Sequence, residues 1–257
     1  AQADYDAKNQ TVNQSQQKVN KDLADIKAVE EAMANQNVIN LPDGYVDALK
    51  EFAYGPYNPD DSKLIAIAEK GMKLNQYHAS EADKNRQIVF SAEQPLSDDI
   101  QLELTQFVAQ LLNPLATQFG RNPYTVNGGS LAFAKEIARL YNIDKWNIFD
   151  HMKHDTVAIN QAAKNMGLRY DETMRGNAYE NIGSGGIFDG PQTITTNMAK
   201  LKADTYDTVV RMLFEDGSNH HNFWGHATSL MMLNSSFKED ESFDLGVTVD
   251  AMGQKHL

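Results

Sequence analysis

The sequence predicts an α+β fold, with an antiparallel sheet packed among helices and a long coiled-coil-like helix in front of it. Three observations carry this expectation. Residues 1–38 are polar and hold neither Gly nor Pro, apolar residues recur at helical spacing from residue 97 to residue 214, and β-like runs gather at the end of the chain. No internal repeat is visible.

The N-terminal element has a seam. Positions 12, 16, 19, 23, 26, 30 and 33 are spaced alternately by four and three. Val12, Val19, Leu23, Ile26 and Met33 are apolar, and Gln16 and Glu30 complete the row. Such a row is one narrow edge of a coiled coil. A helix this polar buries little by itself. Residues 1–38 are therefore read as a helical stalk segment that packs on another chain (a second copy included), on a returning segment or on the following domain. A solvated helix without a partner is the bland alternative.

Residues 39–98 read as a connector packed on the head. Leu41-Pro42-Asp43-Gly44 and Tyr54-Gly55-Pro56-Tyr57-Asn58-Pro59-Asp60 are turn sequences. Between and after them lie short helices, Tyr45–Phe52 and Ser62–Leu74, then a short strand, Gln87–Ser91. Residues 99–257 form the head. Ser97-Asp98-Asp99 starts a helix whose apolar face runs Ile100, Leu104, Phe107, Val108, Leu111 and Leu112. A second helix follows Asn127-Gly128-Gly129-Ser130, with Leu131, Ala134, Ile137, Ala138 and Tyr141 on its apolar face. A third covers Asp155–Met166 and stops at Gly167, and a fourth runs from about Ile194 to Phe214. Ala227–Asn234 and Phe243–Met252 read as two adjacent strands.

Composition narrows the function. The 257 residues are 41% hydrophobic and include 11 Phe and 10 Tyr, enough for a real core. With 23 basic against 35 acidic residues the net charge is −12. Binding a phosphate backbone needs a concentrated basic patch, so a nucleic-acid partner is not expected. The absence of cysteine excludes disulfides, thiolate zinc sites and cysteine nucleophiles. No apolar run approaches the ~18 residues that would span a bilayer, and the first ten residues do not have the pattern of a signal peptide. An intracellular protein or a trimmed piece of an exported one satisfies both facts.

Three motifs carry a resemblance. Phe107-Val108-Ala109-Gln110-Leu111-Leu112-Asn113 leads through a glycine to Asn122-Pro123-Tyr124-Thr125; then come Tyr179-Glu180-Asn181-Ile182-Gly183-Ser184-Gly185 and Gly225-His226-Ala227-Thr228-Ser229-Leu230-Met231. In this order they resemble the CAP superfamily (cysteine-rich secretory, antigen 5, pathogenesis-related 1), whose α-β-α sandwich is the expected fold of residues 99–257. The resemblance implies a cleft where two histidines and two acids converge. Carried over by motif, these are His154, Glu180, Glu215 and His226, with Asp216 competing with Glu215 for the second acid. Ala227 stands where the family has an aromatic, which would open the cleft. With the helical front, Leu41-Pro42-Asp43-Gly44-Tyr45 and Asn75-Gln76-Tyr77, the chain also resembles surface-exclusion proteins of Gram-positive conjugative plasmids and their lactobacillal relatives. That implies an extracellular, wall-attached protein whose partner is another surface protein or a cell-wall component.

The tetrad His154, Glu180, Glu215 and His226 suits Zn²⁺ or another divalent cation, which would generate a nucleophilic water. Without metal, a Glu–His pair suits general acid–base work, and a structural hydrogen-bonded network is the third reading. A surface-interaction module leads; a metal-dependent hydrolase, protease-like, is the alternative, and a lipid groove ranks last. The other histidines attract blander readings: His220 and His221 lie in a polar loop, His151 in the loop before His154, and His78 and His256 have no evident partners. Trp146 and Trp224 read as core or cleft wall, and Met212, Met231 and Met232 as core filling. The Gly183–Gly190 stretch lacks the setting of a phosphate loop.

Overall fold

A computed structural model of the chain describes residues 14–21, 37–55, 60–184, 189–216, 224–234, 237–238 and 240–257. Residues 14–21 are helical and exposed (α1). Gln16 and Val19 of the expected seam lie there; Val12, Leu23, Ile26, Glu30 and Met33 lie outside the described residues, and with them most of the stalk. Among the described residues, no helix is long and apolar enough to cross a membrane.

The connector supplies α2 (Tyr45–Tyr54), α3 (Ser62–Leu74), α4 (Glu81–Lys84) and β1 (Gln87–Phe90). The head begins with α5 (Asp98–Gln118), which runs on through Pro114, and α6 (Gly128–Asp144). At the start of α6 the Asn127 side chain accepts from Ser130 N–H while the Ser130 hydroxyl faces the Asn127 N–H, a reciprocal cap. The short α7 (Ile148–His151) precedes α8 (Thr156–Asn165), which Asp155 caps through Ala158 N–H. Helix α8 ends where Gly167 takes φ of 70°, the left-handed region that glycine enters without strain. Then follow β2 (Ile182–Ser184), β3 (Ile194–Asn197), α9 (Met198–Phe214), α10 (Gly225–Leu230), β4 (Thr248–Val249) and β5 (Gln254–His256).

Among the described residues the fold is α+β with two small antiparallel sheets. β1 pairs with β3, and the other sheet has the order β2-β5-β4. Three sequence expectations change. Ile194–Phe214 is not one helix: Ile194, Thr195 and Thr196 are β-branched and pair with β1, and Asn197 then caps α9 through Lys200 N–H. Ala227–Asn234 is not a strand. It is the body of α10 and the turn after it, where Met232 takes φ of 54°. Of Phe243–Met252 only Thr248–Val249 is strand, and the last strand, β5, lies beyond the expected run.

Helix α9 runs through the centre of the molecule. Val209, Leu213 and Phe214 share a core cluster with Leu104, Val108 and Leu112 of α5 and with Tyr45, Leu49 and Leu64 of the connector. Each such side chain contributes about 1.5–3 kcal/mol when taken from water. Tyr45 meets Phe214 edge-on at 5.0 Å and donates its hydroxyl to the Leu213 carbonyl. The expected connector is thus built into the core of the head. A second cluster, which includes Ile137, Tyr141, Ile159, Ile182 and Met252, fills the space between α6, α8 and β2. The candidate site rests on that cluster.

Candidate functional site

An irregular segment and helix α10 with the turn after it line a cleft of about 1040 Å³. One wall is the segment from Arg169 to Asn181, which has almost no regular structure and is held by its own polar groups. The Asp171 carboxylate accepts from the backbone N–H groups of Thr173, Arg175 and Gly176 and from the Thr173 hydroxyl. These bonds hold its carboxyl down at about 2. Buried Asn160 ties the wall to α8, accepting from Asp171 N–H and donating to the Gly176 carbonyl. The opposite wall includes Gly225, His226, Thr228, Ser229, Asn234 and Phe237.

His154 and His226 both line the cleft, their ring centroids 6.2 Å apart. His154 stands one residue before the cap of α8. Its Nδ1 lies 2.9 Å from Oε2 of Glu180. Glu180 sits where Asn177 turns the chain, the Asn177 side chain accepting from the N–H groups of Tyr179 and Glu180. Its own side chain is only 1% exposed. Tyr141 donates its hydroxyl to Oε2 at 2.7 Å and accepts from Asp155 N–H at 2.7 Å, so one tyrosine joins Glu180 to the start of α8. Burial and the charge of Glu180 together raise the tyrosine well above its usual range.

His226 is held differently. It lies in the first turn of α10, and Nδ1 is 2.7 Å from Oδ1 of Asp216. The other oxygen of Asp216 accepts from the backbone N–H of His226 at 2.8 Å and of Ala227 at 3.3 Å. Asp216 therefore satisfies the open N–H groups at the start of this helix and orients its histidine with the same carboxylate. Of the two competing acids, Asp216 is the one that bonds His226. Glu215 caps α9 and pairs with Arg211 one turn back on that helix. The structure brings His154, Glu180 and His226 of the expected tetrad together and does not bring Glu215 to them.

His256 is the residue that the sequence did not reveal. Its Nδ1 lies 2.6 Å from Oε1 of Glu180, and its Nε2 lies 3.3 Å from Oδ2 of Asp250. All three side chains are at most 1% exposed. Burial alone would raise the Glu180 carboxyl, but hydrogen bonds from His154 and His256 overcome it and hold it at about 2. Burial likewise works against charging His256, and bonds to Asp250 and Glu180 raise it to about 9. A titratable residue among the closing β-residues was the available signal. Its partner lies 76 residues earlier, and only the β2–β5 register, Ile182 against His256, brings them together.

Other expectations resolve simply. Ala227 is fully buried and faces the core, so its small size does not open the cleft. His151 ends α7 and stacks on Trp146 at 3.7 Å. His78 exchanges backbone–amide bonds with Asn37, away from the cleft. Trp224 is core, its indole donating to Asp61, and Met212, Met231 and Met232 are core as well. His220, His221 and residues 185–188 of the Gly183–Gly190 stretch lie outside the described residues. Among the described residues, no group of three or more His, Asp or Glu is placed to hold a metal ion.

No protein-family model matches the chain, and no curated protein does. Among solved structures, the CAP domain of enterococcal PrgA is similar, with a TM-score of 0.63 and 23% identity over 86% of this chain and 84% of that one. At this identity the likeness speaks for the fold. The chain therefore has a CAP-like fold.

Proposed function

We propose that the protein is a cell-surface interaction module of a Gram-positive bacterium, a CAP-like head on a helical stalk that limits contact between cells. The observation that supports it most is the cleft: an open site of about 1040 Å³ with a mixed polar and apolar lining, where His154, Glu180 and His226 meet and Asp216 holds His226 from behind. A volume of this size accommodates a segment of a surface protein or a cell-wall polymer, and few rigid polar groups suffice to orient it. The solved relative is a CAP domain from an enterococcal protein, and the sequence resembles surface-exclusion proteins. Residues 1–38 serve as the stalk that holds the head away from the wall and pairs with a second copy. The test displays the protein on recipient cells and counts plasmid transfer and clumping against cells displaying the His154→Ala/His226→Ala variant. A several-fold reduction that the variant loses is expected. Equal transfer to cells displaying the protein, cells displaying the variant and cells displaying neither would sink the reading.

A second reading, a divalent-metal hydrolase, has one observation in its favour. Each imidazole turns Nδ1 to a carboxylate, the arrangement that orients metal-binding histidines. His154 and His226 would hold Zn²⁺ through Nε2, with Glu180 and Asp216 orienting the rings. Bound zinc would supply an activated water. Calorimetry on metal-stripped protein tests it: about one equivalent bound by the native chain and none by the double variant is the expected result. No binding by the native chain removes the hydrolase.

A further inference from the structure

We infer that His256, anchored by Asp250, is a positioning residue of the cleft: through Glu180 it fixes which ring nitrogen His154 presents to a ligand. The inference rests on the cleft reading only in taking His154 as a working side chain. The connection itself is a continuous row of hydrogen bonds. Asp250, His256, Glu180 and His154 follow one another at 3.3, 2.6 and 2.9 Å, running from the β4–β5 turn to the cleft surface.

Each member of the row is held at more than one point. Asp250 Oδ1 accepts from the N–H groups of Met252 and Gln254, and Oδ2 accepts from the Gln254 side chain at 2.6 Å. The turn that closes the hairpin therefore fixes this carboxylate before it meets His256. The His256 ring then lies edge-on to Tyr141 at 4.8 Å, and its two nitrogens face two carboxylates. A carboxylate accepts and does not donate, so both nitrogens of His256 carry protons. His256 thus takes Oε1 of Glu180, and Oε2 is left to Tyr141 and His154.

The consequence falls on His154. The Glu180 carboxylate oxygen that meets Nδ1 of His154 is an acceptor, so the proton of a neutral His154 resides on Nδ1. Nε2 is then the lone-pair nitrogen on a ring that lines the cleft. Without His256 the buried carboxylate would lose a charged donor and the bond that fixes its rotation. Glu180 would then be free to turn, and that change releases the constraint on His154. A residue outside the cleft thereby sets the hydrogen-bonding polarity within it.

The test is ring-nitrogen NMR of His154 in the ligand-free protein, with histidine labelled on both nitrogens, at one mildly alkaline pH. The native protein should show His154 as the Nδ1–H form. His256→Leu should convert it to a mixture in which the Nε2–H form is comparable, and His256→Gln, which still donates one N–H to Glu180, should restore much of the native pattern. If His256→Leu does not fold, as judged by circular dichroism, Asp250→Asn gives the reading in its place, with a smaller shift in the same direction. Ring signals of His154 unchanged in the folded variant would overturn the inference. Because no ligand is present, this result stands apart from success or failure of the cell-contact assay.

Discussion

At the scale of single residues, the two acids at the end of α9 separate by what surrounds them. Asp216 gives one carboxylate to a histidine ring and two helix N–H groups, and it is nearly buried. Asp216→Ala leaves those groups without their acceptor and should cost about 1–3 kcal/mol in chemical denaturation. Glu215→Ala removes a partly exposed pair with Arg211 and should cost at most ~1 kcal/mol. Equal costs would show that Asp216 does not hold the start of α10. The pH dependence follows from Glu180 and His256. Glu180 is depressed from 4.5 to about 2, so its stabilisation is present above 4.5 and is lost as the pH falls toward 2. His256 is raised from 6.5 to about 9, so its stabilisation is complete below 6.5 and fades as the pH rises through 9. Both shifts describe one shared ion pair. Thermal melts should peak between about 4.5 and 6.5, and His256→Leu should flatten the alkaline side of that profile.

At the scale of elements, local chemistry was legible and distant pairing was not. Ser62–Leu74 and the Gly167 stop stand in the structure where the sequence places them, and the helices expected after Ser130 and from Asp155 begin within a few residues of those points, at Gly128 and Thr156. Ile194–Asn197 was misread because nothing local distinguishes a helix entry from a four-residue strand whose partner, β1, lies more than a hundred residues earlier. α10 was read as a strand for the same reason: Asp216, which receives the N–H groups of its first turn, lies outside the motif. One element contact is demanding enough to test. A Cβ on Gly183 of β2 would lie 2.4 Å from Cγ2 of Thr208 and 3.0 Å from Met212 on α9. Threonine is stiff at χ1 in a helix, so β2 must lift. Gly183→Ala should destabilise by about 1–3 kcal/mol. Thr208→Ser deletes the obstructing methyl and keeps the hydroxyl that donates to the Asp204 carbonyl. The double variant should therefore recover most of the loss, measured as a coupling energy in denaturant titrations. Independent, additive effects would remove the contact as the cause.

At the scale of the whole molecule, the sequence divides at residue 99 by composition and the structure does not divide there by packing. Tyr45, Leu49, Leu64 and Ala68 belong to the core cluster of α5 and α9, and Trp224 beside the cleft donates to Asp61 at the head of α3. The likeness to the enterococcal CAP domain covers 86% of the chain, more than residues 99–257 can supply. Removal of α2 and α3 would uncover Phe214, Leu213 and Trp224 at once. It would also take the Tyr45 ring from beside Asp216, the group that holds His226. A fragment of residues 99–257 should therefore keep much of its helix by far-ultraviolet circular dichroism while it binds a hydrophobic dye and melts without a sharp transition. Residues 37–257 should melt cooperatively, near the full chain, because the described part of the stalk packs exposed side chains only. A sharp, dye-free transition in the shorter fragment would place the domain boundary at residue 99 and make the front helices an accessory layer; its loss makes them part of the wall that shapes the cleft.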